Sequence, residues 1–118
     1  MPTRETLFDD IDSMDPDRFA AHLADDVEFR FANADPVTGR DAVRDTWAGF
    51  CENIDGVSHT LHAQWDTGDA VVAESDVTYT RKDGSTVTLP VVTIYRPAGP
   101  PITDYRIFMD VNPLFAEG

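Results

Sequence analysis

Apolar residues recur at helical spacing in the first half of the chain and at strand spacing in the second. Leu7, Phe8, Ile11 and Met14 lie three or four positions apart, which predicts an amphipathic helix over residues 4–14. Asp15-Pro16 restarts the chain, because Asp caps a helix well and Pro fits the first helical position. Phe19, Ala20 and Leu23 then form the apolar stripe of a short second helix. Val27, Phe29 and Phe31 alternate with Glu28 and Arg30, the pattern of a half-buried strand. The segment from Asn33 to Gly39, containing Asp35-Pro36, reads as a loop.

Residues 40–54 carry the clearest helical signal. Val43, Trp47, Phe50, Cys51 and Ile54 share one face, Asp41 suits the first turn, and Gly56 offers a stop. Beyond it the period falls to two. Strands are expected over 57–66, 70–80, 86–96 and 102–111, separated by Asp66-Thr67-Gly68-Asp69, by the hairpin signal Lys82-Asp83-Gly84-Ser85, and by the breaker Pro97 to Pro101. Helices grouped early and an antiparallel meander grouped late define an α+β fold in one domain, 1–118. A curved sheet covered on one face by three helices would enclose a cone, a natural small-molecule pocket.

Charge narrows the choice of partner. Nine basic residues against 22 acidic ones give a formal charge of −13, which repels phosphate backbones and anionic lipid heads. Nucleic-acid and membrane-surface binding are therefore not expected, and most of the acids read as solubilising. Asp9, Asp10, Asp12, Asp17, Asp41, Asp45, Asp66, Asp69 and Asp83 fall in turns, helix starts or helix outer faces. The single cysteine, Cys51, has no partner for an internal disulfide and sits on an apolar helix face. With no long apolar run and no basic leader followed by an apolar stretch, a cytoplasmic location is expected.

Three stretches then carry a family resemblance: Asp15-Pro16-Asp17-Arg18-Phe19 leading to Leu23-Ala24-Asp25-Asp26-Val27-Glu28-Phe29; the loop opening the long helix, Asn33 to Gly39-Arg40-Asp41-Ala42-Val43; and Ile102-Thr103-Asp104-Tyr105-Arg106-Ile107-Phe108-Met109-Asp110 with Pro113-Leu114 after it. In this order they resemble the SnoaL-like group of the nuclear-transport-factor-2-like superfamily, which includes polyketide cyclases, steroid isomerases, limonene-epoxide hydrolases and non-catalytic members. The resemblance implies a cone-shaped antiparallel sheet wrapped around N-terminal helices, a cystatin-like roll. It implies no metal and no organic cofactor. It also implies a homodimer through the sheet's outer face, for which Trp65, Tyr95 and the apolar late strands are the motive.

Two catalytic sets of that superfamily are incomplete here. Asp35-Pro36-Val37-Thr38-Gly39 is similar to the steroid-isomerase loop whose Asp shuttles a proton. The positions that should donate hydrogen bonds to an enolate fall near Ile11 and among Val91 and Val92, which have nothing to donate. Against the epoxide hydrolases, Asp76 falls near one carboxylate and Asn33 near the water-holding Asn. Glu74 replaces an Arg, Phe31 a Tyr, and Ile107 the second carboxylate.

The remaining candidates are weighed from the residues themselves. Glu74 and Asp76 share a strand face, either solvated or forming a pocket wall where two acids could serve acid–base chemistry. His59 and His62, three apart on a strand, point to opposite faces and cannot chelate one metal together. His62 is expected to share its face with Thr60 and Gln64. His22 is expected to be partly exposed. Asn33 and Asp35 suit a turn or a substrate contact. Tyr79 and Tyr105 could bring hydroxyls into an apolar cavity, and Arg106 and Asp110 could pair. The sequence therefore points to a pocket protein for a small hydrophobic molecule. Asp76 and His62 are the candidate acid–base residues, and Asn33, Asp35, Tyr79 and Tyr105 the candidate substrate contacts. The alternative is a non-catalytic ligand-binding or interaction module.

Overall fold

The computed structural model describes residues 6–115. The elements run α1 (Leu7–Asp12), α2 (Pro16–Ala20), β1 (Leu23–Phe31), β2 (Val37–Thr38), α3 (Arg40–Cys51), β3 (Ile54–Asp66), β4 (Val71–Arg81), β5 (Thr86–Arg96), β6 (Ile102–Phe108) and α4 (Asn112–Phe115). The six strands form one curved, unclosed sheet in the order β2-β1-β6-β5-β4-β3. The late strands make the expected antiparallel meander, and β1 joins it in parallel to β6, with Phe29 opposite Tyr105.

Alternation along each strand sorts the two sheet faces. On β4, Val71, Ala73, Ser75, Val77 and Tyr79 are buried, while Glu74 is exposed and Asp76 half-buried on the opposite face. The buried face meets the helices through aromatic edges: Phe19 of α2 against Tyr105 at 5.5 Å and Trp47 at 6.2 Å, and Phe50 of α3 against Tyr79 at 5.6 Å. Each large apolar side chain withdrawn from water here contributes about 1.5–3 kcal/mol, the main drive for the sheet to curl around the helices.

Strand β3 contains an irregularity that matters for the site. Up to Leu61, the residues Val57, His59 and Leu61 pair with Tyr79, Val77 and Ser75; the register then shifts, and Gln64 and Asp66 pair with Ala73 and Val71. His62 is the extra residue of this bulge. Gln64 therefore shares the inner face with Ala73, and not the face of Thr60 and Asp76.

Several local expectations are corrected. Helix α3 stops at Cys51, and Ile54 begins β3; Gly56 lies inside that strand, where an added Cβ would sit 3.3 Å from Thr80 Oγ1. Of the helix expected over 4–14, Leu7–Asp12 is helical and residues 4 and 5 lie outside the described residues. The strand expected to 111 ends at Phe108, because the chain turns there into α4. Arg81 holds that turn, donating from Nη2 to the Pro113 carbonyl at 2.8 Å and from Nε to the Leu114 carbonyl at 3.1 Å.

His22 is fully buried, with Nε2 2.7 Å from Asp10 Oδ2. Asp10 also accepts from Arg18 Nη2 at 2.7 Å and Nε at 3.0 Å. Arg106 pairs with Asp104 and Glu28, so Asp110 is not its partner. Tyr95 is 1% exposed and belongs to the inner face.

Candidate functional site

Between the concave sheet face and the helices lies a cavity of about 30 Å³. Its walls are Ile11 from α1, Phe19 from α2, Phe29 and Phe31 from β1, Trp47 from α3, His59 from β3, Val77 and Tyr79 from β4, Val91 and Thr93 from β5, Tyr105 and Ile107 from β6, and Met109. Ile11, Val91, Phe31 and Ile107 give these walls apolar side chains. Among the described residues, no group of three or more His, Cys, Asp or Glu is placed to hold a metal ion.

The polar groups of this wall are few and specific. Tyr105 is 2% exposed, and Thr93 is its side-chain hydrogen-bond partner. Burial first, and the neighbouring Tyr95 and Asp12 after it, push the Tyr105 hydroxyl well above its ordinary pKa. Burial, then the charge of Asp12, does the same to Tyr79. Both phenols are therefore neutral donors at ordinary pH. Among the described residues, the Tyr79 hydroxyl donates to the thioether of Met109 at 3.9 Å, a weak acceptor that a ligand oxygen would outcompete.

His59 carries the distinctive chemistry. Its Nδ1 is 2.6 Å from Asp12 Oδ1, and its backbone N–H donates to Asp12 Oδ2 at 2.8 Å. A carboxylate accepts and cannot donate, so the proton of a neutral imidazole sits on Nδ1 and leaves Nε2 as a base. Nε2 has no protein partner among the described residues, and His59 lines the cavity with its side chain 11% exposed. Phe8 packs on the ring with centroids 5.0 Å apart. This is the arrangement of a base oriented by a carboxylate.

The residues expected from sequence are dispersed. His62 Nε2 does lie 2.9 Å from Asp76 Oδ2, but both side chains are on the convex face, 49% and 42% exposed, outside the cone. Asn33 and Asp35 are exposed in the loop between β1 and β2. The left-handed residue of that loop is Ala32, with φ 53°, and not Asn33. Asp76, His62 and Asn33 thus do not line one cavity, so a relay among the three is not assembled. Tyr79 and Tyr105 do line the cone. His59 and Asp12 are the pair the sequence reading missed. The alternation of β3 does put His59 and His62 on opposite faces, but no local signal says which face is concave.

A family model described as a SnoaL-like domain matches residues 5–105. No curated protein matches the chain. Among solved structures, a putative SnoaL-like polyketide cyclase from Jannaschia sp. CCS1 superposes with a TM-score of 0.80 at 19% identity, over 94% of this chain and 85% of that one. An M. tuberculosis epoxide hydrolase of the limonene-epoxide-hydrolase-like type gives 0.78 at 20% identity, over 94% and 82%. A hypothetical protein from Catenulispora acidiphila with a ketosteroid-isomerase-like fold, in complex with trimethylamine, gives 0.80 at 21% identity, over 88% and 82%. At these identities the likeness establishes the fold alone.

Proposed function

This chain belongs to the SnoaL-like domain family, and from that premise we propose that its cone performs acid–base chemistry on a small hydrophobic molecule, with His59 as the proton-transferring group. The observation that carries the reading is the His59–Asp12 pair at 2.6 Å, on a histidine that lines an aromatic cavity.

In this reading Asp12 fixes the tautomer and direction of the imidazole. Nε2 takes a proton from the bound molecule, or from a water acting on it, and the resulting imidazolium is stabilised by the Asp12 carboxylate. The Tyr79 and Tyr105 hydroxyls supply neutral donors to an oxygen that gains charge. The rings of Phe19, Phe29, Phe31 and Trp47 bind the apolar body and exclude water. Polyketide-like and terpenoid-like molecules, and reactions such as cyclisation, isomerisation, dehydration or hydrolysis, fit this inventory. A protein of similar fold in complex with trimethylamine supports the idea that this fold binds small organic molecules.

The test is His59→Gln assayed against a panel of small carbonyl compounds, epoxides and alcohols. A loss of about 10²–10⁴-fold in kcat is expected, and unchanged turnover would overturn the reading. A second reading is a non-catalytic binding module, favoured by the predominance of apolar side chains in the wall. It is distinguished by tight binding without turnover in the wild type.

For assembly we propose a homodimer through the convex face. Trp65 and Phe108 stand there 53% and 52% exposed, flanked by Val72, Val92 and Ile94, a patch of the kind that subunit contacts cover. A monomer by light scattering at working concentration would overturn this.

A further inference from the structure

The cavity is too small for the chemistry proposed for it. Its volume of about 30 Å³ holds two or three waters at about 10–15 Å³ each, whereas a cavity that binds benzene is about 150 Å³. Some wall element must therefore move before a substrate is admitted.

Most of the wall is tied down. Strands β3 to β6 are joined by long antiparallel ladders, interrupted in β3 by its two register shifts. The loop before α3 is fixed by the Gly39 N–H donating to the Val27 carbonyl at 2.8 Å, and α3 is held by buried Val43 and Trp47. The segment after β6 is clasped by the two Arg81 hydrogen bonds. Helix α1 differs. It has six residues, and the backbone bonds after it, Ser13 N to Asp9 O and Met14 N to Ile11 O, stay within the turn. Among the described residues, its side chains reach other elements through two carboxylates: Asp10 on His22 and Arg18, and Asp12 on His59. Its apolar attachments are the buried Leu7 and Ile11, the latter reaching into the cavity, and Phe8 against the His59 ring.

The joint behind α1 has the geometry of a hinge. Met14 is held at φ 61°, a left-handed conformation that a non-glycine residue adopts only under constraint. Immediately after it, Asp15 caps α2 by accepting from Asp17 N at 3.0 Å, so α2 is complete without α1.

We propose that α1 is the door of the cone, hinged at Ser13–Met14, and that shutting it assembles the acid–base pair: the outward swing that admits substrate also withdraws Asp12 from His59. This rests on the reading of His59 as the proton-transferring group. Ile11 clears the cavity, Phe8 leaves the imidazole ring, and His59 loses its orienting carboxylate in one movement. Proton transfer is then confined to the closed state, and Asp12 acts as a positioning residue supplied by the door.

The test is NMR relaxation dispersion on the unliganded full chain, following the α1 amides and the His59 ring. One shared rate constant for both is expected. Asp10→Asn, which weakens the latch on His22 and Arg18, is expected to raise the open population about ten-fold. Arg81→Gln, which loosens the other end of the cone, should leave it unchanged. Unrelated rates for α1 and His59, or a response to Arg81→Gln and not to Asp10→Asn, would overturn the proposal. If Asp10→Asn does not fold, Arg18→Gln loosens the same carboxylate from its exposed side and should move the population in the same direction; no response would again overturn it. These readouts involve no turnover, so an inactive cone with a shared rate refutes the catalytic reading alone.

Discussion

Asp12 and His59 lie 47 positions apart and meet through two hydrogen bonds, with one carboxylate accepting both the backbone N–H and the ring Nδ1–H of the same histidine. The double contact fixes the ring's position and its tautomer together. Asp12→Asn keeps the shape but presents an amide that can donate to Nδ1, which turns the imidazole to the wrong tautomer. A fall in kcat of about 10²-fold or more is expected, with a smaller change in KM. Steady-state kinetics alongside His59→Gln checks this, and the double variant should be no worse than His59→Gln alone.

The convex pair His62–Asp76 gives the contrasting expectation. Both side chains are more than a third exposed, so solvent screens the attraction and the pair contributes at most about 1 kcal/mol. Asp76→Asn and His62→Ala should each leave urea stability within that margin and turnover unchanged. A large loss of activity in either variant would move the active site to the outer face.

Acid should weaken the attachment of α1 through Asp10. Burial raises its carboxyl, but the hydrogen bonds from His22 and then Arg18 more than reverse this, leaving it below the ordinary value of 3.8. A lowered folded-state pKa means that the group's stabilising contribution is complete above the unfolded value and is lost as pH falls through the folded one. In urea titrations, wild type should exceed Asp10→Asn by about 2 kcal/mol near pH 6, and the gap should close below pH 3.8. A gap that persists at pH 2 would show that Asp10 acts by shape alone.

The single thiol should be inert. Burial pushes Cys51 up to about 11, so very little thiolate exists at neutral pH. Iodoacetamide at pH 7.5 is expected to modify the folded protein far more slowly than the urea-unfolded chain. Equal rates would mean that α3 exposes its apolar face.

At the outer face, Trp65→Asp and Phe108→Asp should each convert a dimer to a monomer in light scattering while the circular dichroism spectrum is unchanged, because neither side chain is part of the core. Retention of the dimer in both would place the subunit contact elsewhere.

Local pattern carried much of the architecture and little of the site. The stripe of Val43 and Trp47 and the alternation of Val71, Ala73, Val77 and Tyr79 are one-dimensional signals, and they fold as such. The pairing of β1 with β6 joins residues more than seventy positions apart, and β2 is two residues long; neither leaves a periodic trace. The family resemblance supplied the cone. Asp12 read as a surface acid because Ile11 beside it points inward. Its role depends on where α1 ends relative to β3, a tertiary fact. His22 read as partly exposed for a similar reason: its burial follows from the Asp10 contact across the turn between two short helices.

The bulge at His62 has a consequence for what one inserted residue can do. Trp65 has the same parity as Val57, His59 and Leu61, yet it pairs with Val72 on the opposite face because of the single extra position between. Keeping that position but pairing it in register would reverse inside and outside for the last third of β3, turning the indole toward the concave face and Gln64 toward the convex one, whereas deleting it would leave the pairs of Gln64 with Ala73 and Trp65 with Val72 as they are. The looped-out residue, and not the alternation of the strand, thus decides which face the tip of β3 presents.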